Sequence, residues 1–239
     1  MQRIYFPNTQ FSETLEIREK ELYHQITRVL RARVWQKYIF FDGKTLQDFL
    51  YEIYEIDAKR VIFRLQETIQ KSAEIFPELH LYQALPNKLE KLEYIIQKSC
   101  EVGYTSITFF SADRSQVLLI SQNKKERLKK IAVEAIEQCW GNIIPDINFI
   151  ENIWSQILRN ESTEEIYIFC HTSYTSHKLS HISQQWYKKI HVFIGPEWWF
   201  SEKEIDYFEW YWMLWVCFWN RVLRTETVSS VVWFYLSQK

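Results

Sequence analysis

Glycine is nearly missing from this chain. Its 239 residues include 4 glycines, where ordinary usage would supply about 17. Turns that need positive φ favour glycine, so either such turns are scarce or another residue fills them. Proline (5) and methionine (2) are sparse as well. The four cysteines, Cys100, Cys139, Cys170 and Cys217, have no paired spacing. That excludes a disulfide scaffold and a zinc ribbon, and the four read as buried thiols in a reducing compartment. Neither charge dominates: 29 basic against 30 acidic residues give a net charge of -1. The longest strongly apolar stretch, Trp210 to Phe218, is far short of the about 20 residues a membrane span needs. The opening MQRIYFPNTQF has neither an apolar h-region nor a small-residue cleavage site. A cytoplasmic protein with no membrane partner is expected. No G-x-G-x-x-G and no phosphate-loop lysine motif occurs, which disfavours a classical dinucleotide or nucleoside-triphosphate enzyme.

What the chain has instead is tryptophan. There are 11, within 17% aromatic and 47% hydrophobic residues, ample for a buried core. Several stand where the pattern asks for a flexible turn. Trp35 interrupts RARVWQKYIFF, between two strand-like runs. Trp198 and Trp199 follow Gly195-Pro196 and precede a helix start. A bulky side chain resists positive φ. The pattern fits glycines written as tryptophan because the source reads UGA codons as glycine. A tryptophan-rich core is the competing explanation.

Residues 1–70 read as β-rich. Strands are expected at Arg3–Phe6, Lys37–Phe41, Leu50–Ile56 and Arg60–Leu65, with a helix over Glu19–Leu30 and a turn at Asp42-Gly43. From about residue 76 strands and helices alternate. Strands are expected at Glu78–Ala84, Thr105–Phe110, Glu165–Cys170, His191–Ile194 and Val216–Phe218. Helices are expected at Lys88–Cys100 with Gly103 ending it, Lys124–Gln138, Ile147–Ile157 and Thr227–Leu236. Ser201 with Glu204 makes a capping box for one more. This alternation predicts an α/β domain with a mostly parallel sheet, and the boundary falls near residues 70–76.

Three stretches invite function. I-G-P-E-W-W-F-S-E, from Ile194, joins a strand end to a capped helix, where open α/β sheets bind ligands. It is equally an ordinary connection. N-R-V-L-R-T-E-T-V, from Asn220, puts two arginines, a carboxylate and two hydroxyls ahead of an apolar helix. That suits a polar ligand, or a solvated loop with Arg221–Glu226 contacts. Residues 1–44 carry eight basic against five acidic side chains. Arg28, Arg31 and Arg33 are dense enough for a phosphate-binding ridge, and Arg114, Lys124, Lys125, Arg127, Lys129 and Lys130 form a second patch. His177 and His181 are four apart near His171, a weak metal pattern with no acid between them, and no metal is expected.

Taken in order, these motifs resemble the RsmE family, the 16S rRNA (uracil-1498-N3) methyltransferases of the knotted SPOUT class. The resemblance runs almost end to end. It is carried by Arg3-Ile-Tyr-Phe-Pro7, by His24 and Arg28-Val-Leu-Arg31, and by Phe41-Asp-Gly43. It continues through Pro86, Lys88, Glu93 to Lys98, Glu101-Val-Gly103 and Arg114-Ser115. Glu126-Arg127, Ile131-Ala132, Glu134-Ala135 and Glu137-Gln138 follow. Ile194-Gly-Pro-Glu197, Phe200-Ser-Glu202, Arg221 and Leu223-Arg-Thr-Glu-Thr227 complete it. The family has glycine at Trp35, Trp140, Trp198, Trp199, Trp212 and Trp219. Six departures of one kind favour codon reassignment over divergence.

The resemblance implies a small PUA-like β-barrel over 1–72 that binds RNA. Over 73–239 it implies an α/β domain with a deep trefoil knot, working as a homodimer. It implies S-adenosylmethionine as methyl donor and 16S rRNA of the small ribosomal subunit as substrate. A different RNA, such as tRNA, is the competing target. Should Trp198 and Trp199 be genuine, a non-catalytic RNA- or ribosome-binding protein competes with the enzyme. A metal-dependent hydrolase built on His171, His177 and His181 is a third possibility. The donor would lie against Phe169, Cys170, Ile194, Gly195, Pro196, Glu197, Trp198, Trp199, Phe218, Trp219, Asn220, Leu223, Arg224, Thr225 and Thr227. Arg224 would orient uracil, and Glu197 or Glu226 would assist removal of its N3 proton. Arg3, Arg28, Arg31, Arg33, Lys98 and Arg114 would contact rRNA.

Overall fold

A computed structural model describes residues 1–71, 77–116, 120–151, 153–154, 163–172, 177–178, 187–217 and 222–237. The chain divides into two compact units, one of residues 1–74 with 136–143, the other of 75–135 with 144–239. The expected boundary at 72/73 lies outside the described residues.

The first unit is a five-stranded sheet ordered β1-β3-β4-β5-β2, made of β1 (Gln2–Tyr5), β2 (Thr14–Ile17), β3 (Lys37–Phe41), β4 (Gln47–Ile56) and β5 (Val61–Gln70). β1 runs parallel to β3, and the other pairs are antiparallel. Strand β2 was not among the expected strands, although Thr14 to Ile17 alternates exposed and buried; its pairing with β5 fixes it. The expected helix at 19–30 is a five-residue α1 (Lys20–His24) followed by a π turn at Gln25–Val29, where the Leu30 amide reaches Gln25 O at 2.9 Å. Ile4, Ile17, Ile26, Phe40, Tyr51, Ile53 and Phe63 close the core.

Arg3 belongs to this interior, which corrects the expectation that it binds RNA. Only 3% of it is exposed. It donates to Asp48 Oδ1 at 2.8 Å and to the Ile136 carbonyl at 3.1 Å, and its guanidinium lies 4.2 Å from the Phe41 ring centroid. Asn142 Nδ2 and Lys71 Nζ also reach Asp48. Its Nε has no partner, but the whole side chain is buried, so phosphate cannot reach it.

The second unit is a seven-stranded sheet, and every pairing in it is parallel. Its strands are β6 (Glu78–Ala84), β7 (Ser106–Phe110), β8 (Asp146–Ile150), β9 (Glu165–Cys170), β10 (His177–Lys178), β11 (Lys189–Ile194) and β12 (Leu214–Cys217). They are ordered β10-β12-β9-β11-β6-β7-β8. The helices are α2 (Leu89–Glu101), α3 (Gln122–Cys139), α4 (Glu202–Trp210) and α5 (Thr225–Ser237). The expected helix at 147–157 is instead the edge strand β8, and residues 155–157 lie outside the described set. Apolar residues at 147, 150, 153, 154 and 157 mimic a helical period, but pairing of Ser106–Phe110 with Asp146–Ile150 decides the conformation. Of the cysteines only Cys100 is buried; the other three are half-buried, and none forms a disulfide. Among the described residues no helix is long and apolar enough to cross a membrane.

The backbone at four of the six flagged tryptophans is glycine-like. Among the described residues six non-glycines have positive φ, and four are Trp35 (72°), Trp140 (67°), Trp199 (58°) and Trp212 (55°); the others are Asn8 and Arg31. Helix α2 provides the internal comparison. Past its cap, Gly103 (φ 83°) donates to Cys100 O and Tyr104 to Ser99 O, the paired bonds of a Schellman ending, where glycine is favoured. Helix α4 ends the same way: Trp212 donates to Glu209 O and Met213 to Phe208 O. Trp212 therefore occupies the place that Gly103 holds in α2. Trp35 is third in the turn Arg33–Gln36, closed by the Gln36 amide on Arg33 O at 3.2 Å. Positive φ at that position alone is the type II pattern, which calls for glycine. Trp198 does not share this conformation, and Trp219 lies outside the described residues.

At the amino end of the sheet, His80 and His191 stack at 5.0 Å, and Tyr167 covers the other side of His191 at 4.2 Å. His191 Nε2 meets Glu165 Oε2 at 3.3 Å. Burial, and then repulsion from His80, push the His191 ring from 6.5 down to about 4, against the pull of Glu165. A depressed histidine stabilises the fold above its unfolded value, and that stability is lost as pH falls from about 6.5 towards about 4. His191→Phe keeps a ring in the stack. Its urea-unfolding free energy should lose about 3 kcal/mol less than wild type across that window; equal acid sensitivity would refute this origin.

Candidate active site

Strands β9 and β11 end side by side, with Cys170 opposite Ile194. The chain leaves them at His171-Thr172 and at Gly195-Pro196-Glu197. These turns, residues 222–226 at the start of α5, and Lys91 on α2 enclose a cavity of about 380 Å³. It lies at the carboxyl ends of parallel strands, where such sheets bind ligands, and it has the size of a small-molecule site.

The turn after β11 contributes Gly195, Pro196, Glu197, Trp199 and Phe200 to the lining. A side chain on Gly195 would meet the Phe200 ring at 3.3 Å and the Phe200 amide nitrogen at 3.5 Å, so the turn packs closely against Phe200 ahead of α4. Pro196 O accepts the Trp199 amide at 3.0 Å, closing a four-residue turn. The buried Thr225 ties this turn to α5. Its Oγ1 donates to Gly195 O at 2.7 Å and accepts from Gln83 Nε2 at 2.9 Å. The Ser201–Glu204 capping box forms, and Glu204 Oε1 also accepts the Asp113 amide. That bond docks the loop after β7, whose Arg114 donates to Trp198 O at 3.2 Å.

The charges form one cluster. Lys91 Nζ donates to Glu197 Oε1 at 2.7 Å, and the Asn87 amide donates to the same oxygen at 3.1 Å. Burial pushes the Glu197 carboxyl up, but the hydrogen bonds from Lys91 and the Asn87 amide overcome it and hold the group below the usual carboxylate range. Glu226 Oε2 is 4.0 Å from Lys91 Nζ, buried, and without a hydrogen-bond partner. Burial lowers the His171 pKa, keeping the ring neutral at neutral pH, and burial drives the Cys170 thiol up. Arg224 is exposed at the rim.

Of the expected residues, Cys170, Ile194, Gly195, Pro196, Glu197, Trp199, Leu223, Arg224, Thr225 and Glu226 meet at the cavity. Phe169 does not: its ring is fully buried and stacks on Phe208 at 4.9 Å, because β9 points it into the core. Trp198 also misses the cavity, its ring 64% exposed. Thr227, third in α5, is not in the lining, and its amide donates to Arg224 O at 2.9 Å. Phe218, Trp219, Asn220 and Arg221 lie outside the described residues, as do His181 and the side chain of His177. Among the described residues no three His, Cys, Asp or Glu side chains converge as metal ligands would. Arg28, Arg31, Arg33 and Arg114 are exposed, whereas Lys98 is held by both Glu101 oxygens at 2.8 Å. Lys91 was missed. Its signal was present: Lys88 and Lys91 open α2, where the helix dipole favours acids, so a carboxylate from elsewhere was to be expected.

Residues 73–237 match the family described as the RNA methyltransferase domain. Over 211 residues the chain is 33% identical to the ribosomal RNA small subunit methyltransferase E of Buchnera aphidicola (Acyrthosiphon pisum), covering 87% of this chain and 81% of that protein. The chain belongs to the RsmE family. The RsmE protein of Bacillus subtilis is 27% identical over 206 residues, with 81% and 77% covered. Among solved structures, a putative methyltransferase from Legionella pneumophila in complex with the cofactor SAM superposes with a TM-score of 0.83. It is 28% identical, over 98% of this chain and 96% of that one. The Neisseria gonorrhoeae RsmE bound to S-adenosyl methionine gives 0.85 at 22% identity, over 98% and 95%, a likeness of fold.

Proposed function

We propose that this RsmE-family protein transfers the methyl group of S-adenosylmethionine to N3 of a uridine in 16S rRNA, the position numbered uracil-1498. The observation that carries the reading is the cavity itself. Lying at the carboxyl ends of parallel strands, with the Gly195 turn tied through Thr225 to the start of α5, it has the place and size of a site for a nucleoside-sized donor. The donor, when bound, supplies an electrophilic methyl carbon on sulfur. The chain's part is to fix the base in line with that carbon and manage one proton.

Two residues divide this work and a third supports the site. Arg224, with no ion pair or hydrogen bond from its side chain among the described residues, meets a uracil oxygen and stabilises charge developing on the ring. Glu197 is spoken for by Lys91 and Asn87 and serves structure. Glu226, which lines the cavity beside Lys91, assists removal of the N3 proton. The exposed Arg28, Arg31 and Arg33 of the first unit, together with Arg114, hold rRNA phosphates, and the target base leaves its stack to enter the cavity. The insertion of β12 between β9 and β10 is the strand order that a threaded, knotted chain needs, and the barrel and homodimer implied by the family complete the reading.

The test is methylation mapping of rRNA from a host lacking its own enzyme and expressing this chain, with calorimetry of the purified protein and S-adenosylmethionine. A new N3-methyluridine in 16S rRNA together with saturable binding is expected. A mark in tRNA instead would redirect the substrate, and absence of binding to protein carrying glycine at 198 and 199 would leave a non-catalytic RNA-binding protein.

A further inference from the structure

Lys91 has no role in the sequence motifs, yet it contacts both carboxylates of the cavity. Its ammonium bonds Glu197 at 2.7 Å and stands 4.0 Å from Glu226 Oε2. The second distance is too long for a hydrogen bond but short enough for a strong field. We propose that Lys91 is a positioning residue for the methyl transfer: anchored on Glu197, it keeps Glu226 ionised while leaving Oε2 open to accept the N3 proton. The inference rests on the activity proposed above.

Two carboxylates around one ammonium make the arrangement conditional. Without the cation, like charges so close to each other favour sharing one proton between them. A shared proton would occupy the oxygen that uracil needs. Were Lys91 instead to bond Glu226 directly, the same oxygen would be filled. Holding Lys91 on Glu197 avoids both outcomes. The charged and titratable groups around the cavity are Lys91 from α2, Cys170 and His171 from the end of β9, Glu197 from the turn after β11, and Arg224 and Glu226 from the start of α5. With the histidine kept neutral and the thiol pushed up, the two carboxylates are the groups left to titrate in mild acid. In the transfer, the N3–C bond forms as the C–S bond breaks with its electron pair going to sulfur. The N3 proton passes to Glu226 Oε2 and from there to water, so charge balances.

The test reads the carboxylates directly. In ligand-free protein labelled with 13C at the glutamate carboxyl carbons, Lys91→Met should move one cavity carboxyl titration up by about 1–3 pH units. Adding Glu197→Gln to that variant should bring the remaining carboxyl back down. Methyl transfer by Lys91→Met should fall by about tenfold or more in mild acid and recover towards wild type near pH 9, with donor affinity unchanged and Lys91→Arg retaining most activity. Glu197→Gln alone releases Lys91 onto Glu226 and should depress the rate at every pH. It serves where Lys91→Met does not fold. Unshifted carboxyl titrations, or a Lys91→Met rate loss independent of pH, overturn the inference. Should the wild type methylate no RNA, the activity reading fails, while the carboxyl titrations still decide what Lys91 does.

Discussion

Replacing Trp35, Trp140, Trp199 and Trp212 together with glycine is expected to raise the melting temperature by about 8–16 °C. Each has positive φ, and left-handed backbone costs a residue with a Cβ about 1–2 kcal/mol. Glycine's greater freedom in the unfolded chain returns part of that, leaving about 1 kcal/mol per site. Little packing is lost in exchange at Trp35 and Trp212, whose side chains are 72% and 78% exposed. Trp140 gives up more, since Arg3 and Lys71 each lie 5.6 Å from its ring. Sites in separate turns add, and about 4 kcal/mol corresponds to about 2–4 °C for each kcal/mol in a chain of this size. Alanine at the same four positions keeps the Cβ and should recover little. An unchanged or lower melting temperature for the glycine variant would mean that the indoles are native packing. The same reading predicts that the peptide spanning 190–221, isolated from the native source, carries the mass of glycine at 198, 199, 212 and 219.

How far the molecule can be read from its residues depends on how local the determinant is. Strands such as Glu78–Ala84 and Glu165–Cys170 announce themselves through dense apolar, β-branched and aromatic composition, and the Ser201–Glu204 box fixes a helix start within four residues. The left-handed positions at Trp35 and Trp199 were legible from the elements on either side, whereas Trp140 and Trp212 were singled out through the family resemblance and Trp198 lacks that backbone conformation. Determinants that need a distant partner were not legible. β8 took its conformation from β7 against its own helical spacing. Residues 136–143 join the first unit through Ile136 O and Asn142, whose partners Arg3 and Asp48 are over ninety positions away. That burial turned Arg3 from an expected phosphate contact into a core ion pair. At the cavity, the two motifs that supply most of the lining were visible. Lys91 was not, because what gives it meaning is a carboxylate from a turn over a hundred residues later.

Donor affinity should rise by about tenfold or more when Trp198 and Trp199 both become glycine. Tenfold is about 1.4 kcal/mol. Trp199 lines the cavity at the fourth position of the Pro196–Trp199 turn, where a type I turn favours glycine. An indole in the lining takes up room that a ligand would otherwise use to approach that turn. Removing it lets a nucleoside approach the backbone closely, and it removes the strain at φ 58°, so the turn keeps its shape without the ring. Trp198 contributes less, since its ring points to solvent and its carbonyl stays on Arg114. Trp212→Gly is the matched control: it relieves the same kind of strain but stands outside the cavity lining, so it should stabilise the fold and leave affinity unchanged. Calorimetry with S-adenosylmethionine separates two opposite physical effects. If the indoles shield the turn, affinity rises in the 198/199 variant alone. If they instead stack on the adenine as aromatic platforms do, affinity falls in that variant, and tryptophan would then be the residue this cavity was built around.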